Sequence, residues 1–261
     1  MQEATITFEQ PLNEYVRACL RLEQLFDRVL QNINCENSWA CRIAVEGMLE
    51  ALNVIDRPDL KSKFTKALSQ HANALAQLET KPNVDHAKLQ KILSELDNLI
   101  DSLYKTADKM GQELRNNPFL NSIRQHMGNP GGAALFSTPA YHLWLQLPSA
   151  VCSQNLQTWL GEFAQLQTAV KLLLQLTRGS SHPQSVVAIE GFYQQPLDPK
   201  LAYHLVRVNV ATQCKVYPEI SVGKHRLSVR FMELNVQDRA LQTSKNIDFA
   251  ITCCLPMVSI S

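Results

Sequence analysis

No sign of charge dominates these 261 residues: 25 lysines and arginines stand against 24 aspartates and glutamates, a formal net charge of +1. That balance excludes a global field drawing the chain to nucleic acid or to a membrane, so any electrostatic partner must be held by a local patch. Charged residues are few altogether, at 19%. Amides fill the gap, with 21 Gln and 16 Asn scattered rather than gathered in a tract. No apolar run reaches the ~18 residues a spanning helix needs, so no membrane insertion is expected. The first residues, MQEATITFEQ, have neither a basic nor an apolar leader region, and no secretory signal is expected. Seven cysteines, two of them adjacent at Cys253 and Cys254, do not read as a disulfide framework. The expectation is a reduced, cytoplasmic protein. No internal repeat appears.

The motifs of common chemistries are missing too. Gly131-Gly132 is not followed by Lys-Ser or Lys-Thr, so there is no phosphate-cradling loop. There is no Gly-x-Ser-x-Gly elbow, no Cys-x-x-Cys and no His-Glu-x-x-His. Cys35 and Cys41 are poorly spaced for structural zinc. With Cys19, Cys152 and Cys214 they read as small buried hydrophobes. Cys253 and Cys254 would point to opposite faces of a strand. No metal and no cofactor are expected. These absences favour a binding or scaffolding protein over an enzyme, although active sites often leave no linear motif.

What is present changes character once along the chain. Residues 12–127 read as helices. Leu12, Val16, Cys19, Leu22, Phe26, Val29, Leu30 and Ile33 recur at helical steps, with Pro11 just before the helix. A second helix is predicted over 38–56, capped by Asn37 or Ser38. Leu60, Phe64, Leu68, His71, Leu75 and Leu78 form one seam; Leu89, Leu93, Leu96, Ile100 and Leu103 form another. A short connector, 79–84, joins them, and Asp85 can cap the second helix. The pattern is a helical hairpin that either packs internally or forms a dimer face. Residues 128–152 are irregular, with a turn at 128–132 and a strand or helical turn at Tyr141–Leu147. An unbroken helix is predicted over 153–178, from Ser153 to Gly179.

After Pro183 the apolar period becomes two, and five strands are predicted: Ser185–Gln195, Leu201–Val210, Val216–Ser221, Lys224–Leu234 and Lys245–Leu255. Consecutive strands without helices between them make an antiparallel sheet. Thr5–Phe8 can add an N-terminal strand to it. The fold class is therefore α+β. A mainly helical domain is expected over 11–180, and a β domain over 1–10 and 181–255. A disordered tail is expected over 256–261.

Basic residues are the most suggestive feature. Arg17, Arg21, Gln24 and Arg28 share one face of the first helix, with Glu14 placed to neutralise part of it. In the sheet, Arg226 and Arg230 share an outer face, joined by Lys224 if the pleat holds. Such stripes are either solvated faces or recognition surfaces for an acidic peptide or phosphate backbone. His142 is either a core histidine satisfied by backbone or a polar contact in a groove.

An ordered set of motifs then resembles the bacterial cell-division family ZapD. It begins with Phe8-Glu9-Gln10-Pro11-Leu12-Asn13-Glu14 and Arg17-Ala18-Cys19-Leu20-Arg21-Leu22-Glu23. It continues with Pro130-Gly131-Gly132, His142-Leu143-Trp144-Leu145-Gln146-Leu147-Pro148 and Gly191-Phe192-Tyr193-Gln194. Tyr217–Ser221, Lys224-His225-Arg226, Val229–Met232 and Asp248-Phe249 before Cys253-Cys254 complete it. The resemblance implies a non-catalytic cytoplasmic protein at the division site. It would bind the C-terminal tail of FtsZ and, as a homodimer, cross-link FtsZ filaments in support of Z-ring assembly. It also implies a helical dimerisation domain beside a β domain, and a basic pocket. Arg21 and His142 fall in matched motifs, Arg124 precedes the Pro-Gly-Gly turn, and Arg17, Arg226 and Arg230 are further candidates. Pro118 stands where the family pattern leads one to expect a basic residue, so the pocket is either less charged here or served instead by Arg115. Two rivals remain: a nucleic-acid-binding module using the basic stripes of the first helix and the sheet, and a small-molecule enzyme with a pocket near His142 and Cys152.

Overall fold

The computed structural model describes residues 4–81, 84–105, 110–129, 132–134 and 136–256. Pro82 and Asn83 of the connector, Pro130 and Gly131 of the glycine turn, and residues 257–261 of the tail lie outside the described residues. The chain divides into two units, Met1–Arg17 with Leu174–Ser261, and Ala18–Leu173.

The first unit is a β sandwich. One sheet has the order β1 (Thr5–Pro11), β4 (Leu205–Ala211), β7 (Ile247–Cys254), β2 (Gln184–Ala188). The other has the order β3 (Phe192–Pro196), β6 (Arg226–Glu233), β5 (Val216–Val222). Every pairing is antiparallel. The period-two alternation sorts side chains as expected. Val206, Val208, Val210, Phe249 and Ile251 from one sheet meet Leu227, Val229 and Phe231 from the other in one core. The Phe231 and Phe249 rings touch edge-on with centroids 4.9 Å apart. The N-terminal strand joins the first sheet beside β4, with Phe8 opposite Val208. Glu9 of β1 takes a bidentate pair from Arg178, 2.9 and 2.7 Å, and a third bond from Arg207 Nε at 2.9 Å.

The expected strand Ser185–Gln195 is two strands in two sheets. The chain reverses at Glu190 (φ 48) and Gly191 (φ 72), and Phe192 donates back to Ile189 O at 2.9 Å. A Cβ on Gly191 would lie 2.6 Å from Thr243 O. Only glycine fits, both in conformation and in space. The alternation simply continues through this two-residue turn, which hides it from the sequence.

The second unit is helical, and the division between units falls within α1 (Glu14–Asn32) and within α9 (Ala164–Arg178). Pro11 stands just before α1 as the last residue of β1, and Asn13 caps the helix, its side chain accepting the Val16 amide at 2.9 Å. Asn37 caps α2 (Ser38–Ile55) through the Ala40 amide. α3 (Leu60–Ala76) and α4 (His86–Lys105) form the expected hairpin, with Asp85 accepting the Lys88 amide. Phe64, Leu68, His71 and Leu75 are buried on one helix, and Leu89, Leu96, Leu99 and Leu103 on the other. Short helices α5 (Gln112–Asn116), α6 (Pro118–Met127) and α7 (Pro139–Trp144) follow. Pro118 occupies the first turn of α6, where a missing amide is harmless.

The predicted helix 153–178 is two helices, α8 (Ser149–Gly161) and α9. At the break, Glu162 and Phe163 donate three residues back, to Trp159 and Leu160. The buried Phe163 ring meets Phe26 at 5.5 Å. Tertiary burial breaks the helix where no proline signals it. Cys35 and Cys41, expected as reduced thiols, are joined in a disulfide with Cα atoms 4.8 Å apart. A left-handed Cys35 (φ 51) folds the α1–α2 loop so that both sulfurs meet. Cys19, Cys152, Cys214, Cys253 and Cys254 are not in disulfides. Cys253 packs against the sandwich core; Cys254 lies opposite Leu205, its thiol raised by burial to about 11.

Candidate functional site

α1 carries the first basic stripe. Arg17 is neutralised locally by Glu14, 2.9 Å away. Arg28 meets Glu50 of α2 at 2.9 Å. Gly47 permits that approach, since a Cβ there would lie 2.8 Å from Val29. Arg21 is exposed and, among the described residues, has no ion pair. A stripe of three arginines is thus reduced to one unneutralised cation. That weakens the nucleic-acid reading, which needs several phosphate contacts at once.

Arg115 and Arg124 are brought together on a residue the sequence analysis did not single out, Asp56. Arg115 places Nε (2.9 Å) and Nη2 (2.6 Å) on Asp56 Oδ1, and gives Nη1 to the Met110 carbonyl. Arg124 gives Nη2 to Asp56 Oδ2, and its Nε meets Asn53 Oδ1 at 2.8 Å. Burial pushes the Asp56 carboxyl up, but the bonds from Arg124 and Arg115 outweigh it and hold the carboxyl below its ordinary range. The Arg115 side chain is only 12% exposed and all three of its nitrogens are engaged. It is a structural residue rather than an open contact. Arg124 is 25% exposed, and among the described residues no acceptor meets its second terminal nitrogen. A signal was available: Asp56 caps the C-terminus of α2, where the helix dipole disfavours an acid, so a compensating cation was required.

α7 is fixed by an aromatic cluster. Phe119 of α6 lies 6.2 Å from Tyr141 and 5.9 Å from both Trp144 and Trp159. Trp144 and Trp159 lie 5.7 Å apart, and Trp144 donates its indole N–H to Asn155. Arg42 spans the rings of Trp39 and Tyr141 and donates to the Ala133 carbonyl at 2.6 Å. Burial pushes the Tyr141 phenol well above its ordinary range. With Tyr141 and Trp144 turned inward, His142 and Leu143 face solvent, Leu143 at 68% exposure. His142 is therefore not a core histidine. Cys152 is buried and donates to the Trp144 carbonyl, and burial raises its thiol. That is the opposite of an activated nucleophile. Clefts of about 420 and 500 Å³ in this unit are lined by residues such as Lys61, Glu113 and Phe163, or Lys91, Asn98 and Thr168; neither is lined by a predicted site residue.

In the β unit, Arg226 and Arg230 are exposed on the outer face of β6. Arg230 lies opposite Phe192 on one side and Glu219 on the other; Arg226 lies opposite Pro196. Lys224 falls in the turn before β6 rather than on the strand. Within each element the predicted residues are placed as follows. Arg115 and Arg124 converge on Asp56, Arg226 and Arg230 share a strand face, Arg17 and Arg21 share a helix, and His142 is exposed on α7. Among the described residues no group of three His, Cys, Asp or Glu could hold a metal ion, and no helix is long and apolar enough to cross a membrane.

The family model described as "ZapD: Cell division protein" matches residues 20–230. A protein named Cell division protein ZapD from Coxiella burnetii (strain RSA 493 / Nine Mile phase I) is 45% identical over 256 residues, 97% of this chain and 99% of its own. Proteins of the same name from Bordetella pertussis (strain Tohama I) and Methylococcus capsulatus (strain Bath) are 34% and 33% identical over 251 residues. Each alignment covers 96% of this chain and 98% of theirs.

Proposed function

The chain belongs to the ZapD family of cell-division proteins, and from that premise we propose that it binds the C-terminal tail of FtsZ and, as a homodimer, cross-links FtsZ filaments at mid-cell in the cytoplasm. It does so without catalysis, cofactor, metal or nucleic acid. The observation that carries the reading is the family match along nearly the whole chain. The helical unit supports it with cations suited to a carboxylate-bearing tail: among the described residues Arg21 meets no neutralising acid, and the second terminal nitrogen of Arg124 meets no acceptor. Exposed Leu143 beside His142 offers apolar surface for the tail's hydrophobic side chains. The helical domain supplies the dimer contact.

Bivalency supplies the mechanism. One site on a monomer decorates a filament. Two sites on a dimer meet a lattice that carries a tail on every subunit, and effective concentration lifts avidity above either single affinity. The tail orders on binding, so each single contact is modest. Co-sedimentation with polymerised FtsZ tests this. Pelleting and bundling are expected with intact FtsZ and lost with tail-deleted FtsZ. Equal behaviour with both overturns the tail assignment. Arg21→Glu should abolish bundling while circular dichroism and dimer mass stay unchanged, because among the described residues Arg21 makes no ion pair that holds the fold.

A further inference from the structure

Asp56 shows a division of labour between its two oxygens. Among the described residues Oδ1 is served by Arg115 alone, through two nitrogens at 2.6 and 2.9 Å. Oδ2 is served by Arg124. Arg124 has a second anchor, Asn53, on its Nε. If Arg124 leaves Oδ2, Asp56 keeps its partner Arg115, and Arg124 keeps its pivot on Asn53. Neither charge is orphaned, so the large penalty for breaking an ion pair does not apply. The carboxylate is also 33% exposed, within reach of an incoming group and of water that can replace one bond.

We propose that Asp56 is a built-in competitor for Arg124: in the free protein it holds the acceptor position that a carboxylate of an acidic partner segment takes on binding. This rests on the tail-binding reading above. The exchange swaps one charge-assisted hydrogen bond for another of the same kind, so Arg124 contributes selectivity for carboxylates and little net affinity. Asp56 sets the strength of the site by setting how firmly Arg124 is held. It acts through Arg124 and is a positioning residue. Asn53, a neutral acceptor, lets the guanidinium turn without adding a second competing charge.

The test is Asp56→Asn, which keeps an acceptor and removes the charge, and Asn53→Asp, which adds a second carboxylate to the pivot. The probe is a labelled peptide of the FtsZ C-terminal tail, read by anisotropy at low and high salt. Asp56→Asn should bind about fivefold tighter at low salt. The gain should vanish at high salt and in the double variant with Arg124→Gln. Asn53→Asp should bind several-fold weaker, and it keeps the question answerable if Asp56→Asn does not fold. A second readout is independent of FtsZ: sulfate should raise the melting temperature of Asp56→Asn more than that of wild type. If no protein binds the peptide but the sulfate difference persists, the tail reading fails and the competitor stands. Folded variants with wild-type peptide affinity and a wild-type sulfate response overturn the competitor.

Discussion

Glu9 in the β unit and Asp56 in the helical unit each accept hydrogen bonds from two arginines. Around Glu9, Arg178 is bidentate and Arg207 shares Oε1, with Glu9 only 16% exposed. Arg178 takes both oxygens, so it cannot leave without baring Oε2, and Arg207, unlike Arg124, has no second side-chain acceptor among the described residues to hold it if it lets go. Around Asp56 the two arginines divide the oxygens, one is anchored elsewhere, and the acid is twice as exposed. The same three charges make a lock in one place and a latch in the other. The difference lies in how the oxygens are shared, not in the residue types.

The largest effect should come from breaking the lock. Glu9→Ala leaves two half-buried guanidiniums side by side and should lower stability by about 2–3 kcal/mol, below the value for a fully buried pair because all three groups keep some water. A urea melt checks it, and a loss under about 1 kcal/mol would make the two clusters alike. A smaller effect is expected at the latch. The Asp56 carboxyl titrates lower in the folded protein than in the unfolded chain. Its pairs therefore stabilise the protein above the ordinary carboxylate pKa of about 4 and lose that contribution as pH falls through the folded value. The stability difference between wild type and Asp56→Asn, at most about 1 kcal/mol near neutrality, should shrink towards zero in acid melts. The smallest effect belongs to the exposed pair on α1: Arg17→Gln should shift the urea midpoint by no more than about 0.5 kcal/mol equivalent, a baseline for both clusters.

These contrasts also mark where sequence reasoning reaches its limit. Val206, Val208 and Val210, or Leu227, Val229 and Phe231, declare their strands because burial acts on every second residue. Neutralisation of Arg17 by Glu14 was legible because the two lie three residues apart. Neutralisation of Arg115 and Arg124 was not, since Asp56 lies 59 and 68 positions away. The Glu190-Gly191 reversal, the break at Phe163 and the Cys35–Cys41 bond were missed for related reasons. Each is decided by what the chain meets in space: Thr243 against Gly191, Phe26 against Phe163, a left-handed Cys35 turning one sulfur to the other.

The aromatic cluster around Phe119 has an optical corollary. All three tryptophans of the chain, Trp39, Trp144 and Trp159, belong to the helical unit, while Tyr15, Tyr193, Tyr203 and Tyr217 belong to the β unit. Fluorescence excited beyond the tyrosine band therefore watches one unit and is blind to the other. Within that signal, Trp39 stands 67% open to solvent while Trp144 and Trp159 shield one another. A soluble quencher should extinguish the first and spare the pair, so a single emission spectrum separates events at the start of α2 from loosening beneath His142.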